Sequence, residues 1–306
     1  MNYRLNLLIV FIGLIGLGVK AQTTDLARVE FLNLPLSKSN NSIQRYRVLL
    51  QSPIPLKKGR SDFFVVGAEY RYLDINIKDD NDKLAFGSHQ VSSVKRMDLY
   101  LGYTWKYSDE WRLGMKVGAK VQSDLEGSLI ADDFTYEVGV YAINDKRKDV
   151  PEGKNPYRLI AGLTYSTTPG RWLPLPILNY YEEFHPNWTF TIGVPKTNIR
   201  HYLNDSHKDA IQAFATLDND YANLQQNFVP ISIQSSGTKV AESIQTTIVL
   251  SGLGYEHFFT EHLVFYTYAA HSVYNNFRLE DGDGDKIYQI NSEKSPYFRA
   301  GIKFKY

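Results

Sequence analysis

From Trp111 to Asp124 apolar and polar residues alternate. Trp111, Leu113, Met115, Val117, Ala119 and Val121 fall on one face. Arg112, Gly114, Lys116, Gly118, Lys120, Gln122 and Asp124 fall on the other. Period two is the signature of a β-strand with unlike faces. The preceding stretch keeps the same parity, with Met97, Leu99, Leu101, Tyr103, Trp105 and Tyr107 set against Arg96, Asp98, Tyr100, Gly102, Thr104 and Lys106. Only Ser108, Asp109 and Glu110 separate the two, the length of a three-residue hairpin loop. Placing Tyr107 opposite Trp111 sets Asp98 against Lys120 and Gly102 against Lys116, so the polar faces pair sensibly.

The pattern recurs. Phe134, Tyr136, Val138, Val140 and Ala142 alternate with polar residues or glycine, as do Trp188 to Val194, Phe298 to Tyr306 and, for the most part, Tyr157 to Tyr165. Less regular candidates lie near 43–51, 62–77, 176–184, 209–217, 224–234, 242–257 and 262–279. Polar, Gly- or Pro-bearing connections are expected at 78–88, 125–133, 144–156 and 280–295. The segment 197–239 is the least legible. A soluble sandwich and a membrane barrel share this alternation, but they point the apolar face in opposite directions. Three features favour the membrane. The apolar runs reach the ~10 residues that a tilted strand needs to cross a bilayer. The polar faces mix charge with glycine, as a crowded lumen requires. Aromatic residues gather at strand ends, with Tyr103, Trp105, Tyr107 and Trp111 around one turn, as in an interfacial girdle. The expected fold is therefore an all-β transmembrane antiparallel up-and-down barrel of about 12 strands, within a range of about 10 to 14. The strand number must be even if both ends lie on one side, and the candidate segments are odd in number.

Composition sharpens the address. The 306 residues carry a net charge of +1, which gives no field for a nucleic-acid partner. There is no cysteine, which excludes disulfides, thiolate metal sites and a lipoprotein anchor. Aromatic residues make up 14% of the chain, suiting a surface that is half wet and half apolar. Residues 1–21 read as a signal peptide: Arg4 precedes an apolar run from Leu7 to Val19, and Val19 and Ala21 are the small residues before a cut at Gln22. That run is too short for a ~20-residue membrane helix. Residues 22–306 are expected to form the barrel in the outer membrane of a Gram-negative bacterium, among its lipids.

The last strand ends on Tyr306, with Phe304, Ile302, Ala300 and Phe298 at alternate positions before it. It resembles the assembly signal of outer-membrane barrel proteins, and the resemblance implies the barrel-assembly machinery as a partner. Together with Ala21-Gln22, the segments Trp172-Leu173-Pro174-Leu175-Pro176-Ile177 and Gly193-Val194-Pro195-Lys196 also resemble an uncharacterised outer-membrane barrel family of the Bacteroidota. That resemblance implies no activity and no functional residues.

Among candidate chemistry, the inward face is the most informative set. Arg96, Asp98, Arg112, Lys116, Lys120, Glu137, Arg158, Arg299, Lys303 and Lys305 should all point into the lumen. They form either a self-satisfied network of charges or the lining of an anion-favouring channel. His271 and Ser272 are adjacent and so face opposite ways on a strand. Asp205, Ser206 and His207 have the residue types of a hydrolase but no readable element to hold them. Glu280-Asp281-Gly282-Asp283-Gly284-Asp285 begins like a calcium loop, but Lys286 and Ser292 occupy positions that need glycine and a bidentate acid. A surface turn fits better. No cofactor or metal site is expected. The expected function is a passive channel or transporter for small solutes. A lipid or peptide hydrolase and a structural or surface-interaction barrel stand as alternatives.

Overall fold

The computed structural model describes residues 25–56, 62–78, 86–169, 174–230 and 239–305. The signal peptide, Trp172 and Leu173 of the Trp172 to Ile177 segment, and Tyr306 lie outside the described residues. Among the described residues fifteen strands follow one another: β1 (Asp25–Pro35), β2 (Ser42–Pro55), β3 (Phe63–Asn76), β4 (Ser93–Lys106), β5 (Trp111–Ser123), β6 (Phe134–Asp145), β7 (Tyr157–Ser166) and β8 (Leu175–His185). Then come β9 (Trp188–Gly193), β10 (Lys196–Tyr202), β11 (Asp209–Phe228), β12 (Ala241–Phe258), β13 (Leu263–Glu280), β14 (Lys286–Asn291) and β15 (Pro296–Lys305). Each strand from β1 to β13 pairs with the next, and β13 pairs with β15, which pairs antiparallel with β1. The result is a closed antiparallel barrel of 14 strands with β14 outside the ring, against the upper part of β13. Closure leaves no edge with unpaired amides, which is the condition for a sheet in hydrocarbon.

The 14 strands exceed the expected twelve, and the differences have physical causes. β1 escapes notice because Leu32 and Leu34 stand on its inner face, so both faces are apolar at its upper end. β10 is short, beginning right after a tight turn. The candidates 209–217 and 224–234 are partly one strand, β11, of 20 residues. Within 280–295, read as a connection, β14 is a further strand. The hairpin of β4 and β5 has the expected register, with Asp98 opposite Lys120 and Gly102 opposite Lys116.

Burial is inverted relative to a soluble protein. Val29, Val48, Leu99, Val117, Val138, Val140, Leu163 and Ile192 stand exposed on the outer wall, whereas Glu30, Arg45, Glu69, Asp98 and Glu256 are buried inside. The lumen glycines have a role here. The ring of Tyr100 lies over Gly67, Tyr141 over Gly139 and Gly162, Tyr268 over Gly254, and Tyr266 over Gly301, in each case where a Cβ would collide with it. Rings laid flat on glycine line a narrow lumen without filling its axis.

Call the end that holds Asp25 and Lys305 the lower one. Strands β11, β12 and β13 have 20, 18 and 18 residues, about twice what a bilayer crossing needs, and their excess lies at the upper end. Above Leu217, β11 has left β10 behind and crosses the mouth to β5, where Asn223 pairs with Ser123 and accepts the Asp124 amide at 3.1 Å. Asp133 fastens this crossing, accepting from Asn223 Nδ2 at 2.9 Å and Gln225 Nε2 at 2.7 Å. Burial works to raise the Asp133 pKa, but the Ile130 amide and the Ser123, Asn223 and Gln225 side chains outweigh it and hold it below the usual range. The ring is thereby bridged early at its upper end. Beneath the bridge, Leu32, Leu34, Ile43, Leu73, Ile75, Val94, Ala222, Ile244, Phe277 and Tyr297 form an apolar core inside the barrel, with Phe86 and Phe228 at 5.6 Å.

Replacing Val117, mid-strand and exposed on the wall, with Arg is expected to lower stability by about 2–4 kcal/mol in lipid vesicles. Equilibrium denaturant unfolding reads this, and an unchanged stability would mean that the face does not meet hydrocarbon.

Candidate functional site

The lumen below the apolar core is the candidate site, and its charges come from alternate positions of many strands. A belt crosses it at mid-height. Arg45 on β2 holds Asp218 on the far wall with two bonds, at 3.0 and 2.9 Å, and Asp220 at 2.8 Å. Arg71 on β3 reaches Asp220 at 2.8 Å and also binds Glu69, which accepts from Arg47 at 2.6 Å. Glu30 on β1 takes the Tyr266 hydroxyl at 2.7 Å and has Arg299 at 3.7 Å. The bidentate Arg45–Asp218 fork is the strong form of such a pair, and it spans opposite walls.

A second group lies on β4, β5 and β6. Arg96 chelates Asp98 through two bonds, at 2.7 and 2.6 Å. Glu137 is shared by Lys116, at 2.8 Å, and Lys120. The register thus places Asp98 opposite Lys120 as expected, but the carboxylate goes to Arg96 and the ammonium to Glu137. A third group, toward the lower end, centres on Glu256, which binds Arg200 at 2.8 Å, Lys303 at 2.6 Å and the Tyr268 hydroxyl at 2.8 Å.

The structure places the sequence candidates as follows. Arg96, Asp98, Lys116, Lys120 and Glu137 gather on neighbouring strands. Arg299 and Lys303 belong to the belt and to the lower group, with Arg299 4.9 Å above the Tyr268 ring. Lys305 lies over Phe258. Arg112 stands apart at the lower rim, 3.1 Å from Thr104 Oγ1 and above the Phe63 ring, and Arg158 sits opposite Asp145 in the register. Phe298, Ala300, Ile302 and Phe304 fall on the outward face of β15. Sequence reading missed Glu30, Arg45, Arg47, Glu69, Arg71, Asp218, Asp220, Arg200 and Glu256. Charges at alternate positions, Arg45 and Arg47 on β2 and Glu69 and Arg71 on β3, were the available signal.

The two halves of the lumen differ. On β1 to β4 and β11 to β13 the inner side chains are mostly buried. On β7 to β10 the inner side chains of Arg158, Thr164, Asn179, Tyr181, Lys196 and Asn198 stay partly exposed. Water therefore reaches the lumen on one side, where β11 has pulled away from β10.

The residues singled out for other chemistry are engaged elsewhere. His271 Nδ1 lies 3.1 Å from the Ser272 carbonyl, while Ser272 Oγ accepts from the Ser295 amide on the opposite face. His207 stacks on Tyr202 at 4.2 Å and meets Asn187, and Ser206 donates to Asn204. The Glu280–Asp285 segment closes a turn with the Asp281 amide on the Asp285 carbonyl at 3.0 Å, and buried Glu280 is bound by Arg278.

No protein-family profile and no curated protein matches the chain. Solved structures similar to it include a NanC porin, at 9% identity over 92% of this chain and 100% of that one with a TM-score of 0.38. Others are OprB from Pseudomonas putida, at 10% identity over 93% and 94% with a TM-score of 0.41, and LpxR from Salmonella typhimurium, at 9% identity over 92% and 100% with a TM-score of 0.37. Likenesses this distant do not bear on activity, and the barrel architecture rests on the strand pairing itself.

Arg45→Met would strand the half-buried Asp218 carboxylate and leave Asp220 to Arg71 alone, and is expected to cost about 3–5 kcal/mol. Lys106→Met at an exposed turn should cost at most about 1 kcal/mol. Equal effects in denaturant unfolding would show that the belt does not bind the two walls together.

Proposed function

We propose that this chain is an outer-membrane channel through which small solutes diffuse along one side of a partly filled barrel. The observation that carries the reading is the row of partly exposed inner side chains Arg158, Thr164, Asn179, Tyr181, Lys196 and Asn198 beside a sealed apolar half. A barrel built only for strength would gain from filling both halves, since burying a Leu-sized side chain stabilises by about 1.5–3 kcal/mol. Here polar groups keep one half wet instead. Cations outnumber carboxylates along it, with Lys116, Arg158, Lys196 and Arg200 on or near the wet face, so the path favours anions.

The address belongs to the same proposal. An apolar outer wall with buried charge suits lipid on all sides, and an even ring puts both ends of the chain on one face, the periplasmic one for an exported barrel. Export by the segment ending at Ala21, and insertion by the barrel-assembly machinery acting on Phe298, Ala300, Ile302, Phe304 and Tyr306, complete the route. Kinship with the Bacteroidota barrel family rests on the short motifs quoted above, of which Gly193 to Lys196 forms the tight β9–β10 turn. A sealed structural barrel is the second reading, favoured by the apolar core across the other half.

Refolded protein in planar bilayers is expected to give discrete conductance steps, with a reversal potential in a KCl gradient that marks chloride preference. Electrical silence at every voltage would remove the channel and leave the structural reading.

A further inference from the structure

Between the belt and the β5–β6 wall lies a cavity of about 260 Å³, sized for a small solute. Five cations line it: Arg47, Arg71 and Arg96 on β2, β3 and β4, and Lys116 and Lys120 on β5. Three carboxylates share the lining, namely Glu69, Asp98 and Glu137. Each carboxylate is already engaged: Glu69 by Arg47 and Arg71, Asp98 by both arms of Arg96, and Glu137 by both lysines. An ammonium has three N–H donors and a guanidinium five. Donors therefore outnumber the acceptors that the wall supplies, and with Asp220 of the roof counted, five cations face four carboxylates. Leaving such charge uncompensated away from bulk water costs several kcal/mol per ion.

Access is one-sided. The crossing of β11 roofs the cavity, with Asp220 already bound to Arg71 and 3.9 Å from Arg96. The Lys116 side chain is 30% exposed and that of Lys120 is 12%, so the opening lies on the Lys116 side. Tyr100, folded flat over Gly67, keeps the space clear and presents its ring to Lys116 at 4.6 Å.

We propose that this cavity binds a small doubly charged oxyanion, a phosphate or a dicarboxylate, with Lys116, Lys120 and Arg96 as its main donors. The proposal deepens the channel reading and rests on it for the ligand's entry, but binding itself is measurable without conductance. The oxyanion accepts from the N–H donors that the wall's carboxylates leave open, since fork-shaped guanidinium and point-like ammonium groups suit phosphate and carboxylate.

The test is isothermal calorimetry on refolded full-length protein in detergent with chloride as the background salt. Orthophosphate and succinate are titrated separately. Saturable one-site heat with either supports the proposal, and orthophosphate alone or both together tells which chemistry the site takes. Glu137→Gln frees both lysines and is expected to tighten binding about tenfold or more, a gain that a merely structural network would not give. K116Q/E137Q/K120Q, which replaces the cluster with neutral amides, is expected to weaken binding at least tenfold, and Lys106→Gln to leave it unchanged. Absence of saturable heat in the wild type with both anions, or weaker binding by Glu137→Gln, overturns the proposal. Phosphate binding without conductance would remove the channel and keep the site; conductance without anion binding would do the reverse.

Discussion

Arg45 is the contact on which the interior depends. It is 4% exposed and holds two aspartates of β11 from the opposite wall. A guanidinium so placed cannot lose its carboxylates cheaply, so it fixes where β11 passes above Leu217. Once β11 crosses the mouth, β5 receives it, and the lumen is divided into a sealed half and a wet one. The apolar core above the belt, the early bridging of the ring and the one-sided access to the oxyanion cavity all follow from that crossing.

The outer wall obeys a different constraint. In hydrocarbon every amide must be paired within the protein, which only a closed ring of strands achieves. Closure between β15 and β1 meets that demand with eight paired positions, from Asp25 with Lys305 to Asn33 with Phe298. The wall needs only apolar side chains of ordinary size. The interior therefore has freedom to carry charge, provided that each charge finds a partner within reach. Tyrosines laid on glycines supply hydroxyls and ring faces to those charges: Tyr266 serves Glu30 and Lys303, and Tyr268 serves Glu256 and Lys196.

Which parts were legible in the sequence follows from this division. Where one face meets lipid and the other a charged lumen, as on β4 to β7 and β15, alternation names the strand and its inward residues, and for the β4–β5 hairpin its register as well. Where the inner face carries the apolar core, as at Leu32 and Leu34 of β1, the contrast between faces vanishes and the strand is missed. β11 fails for a related reason, because Tyr221, Ala222, Asn223 and Leu224 are all buried once the strand is covered on both sides. The long-range partners were beyond reach for a third reason. Asp218 and Asp220 look like turn residues until the far wall brings Arg45 and Arg71 to them.

The chain contains no cysteine, so single substitutions can report on the division directly. The most direct measurement is the labelling rate of single cysteines by a charged, membrane-impermeant thiol reagent in protein reconstituted into vesicles. Cysteine at Thr164, Asn179 or Asn198 is expected to react readily, and cysteine at Leu32, Ile43 or Leu73 hardly at all. Equal rates on the two sides, or faster reaction at Leu73 than at Asn179, would contradict a lumen that is sealed in one half and wet in the other.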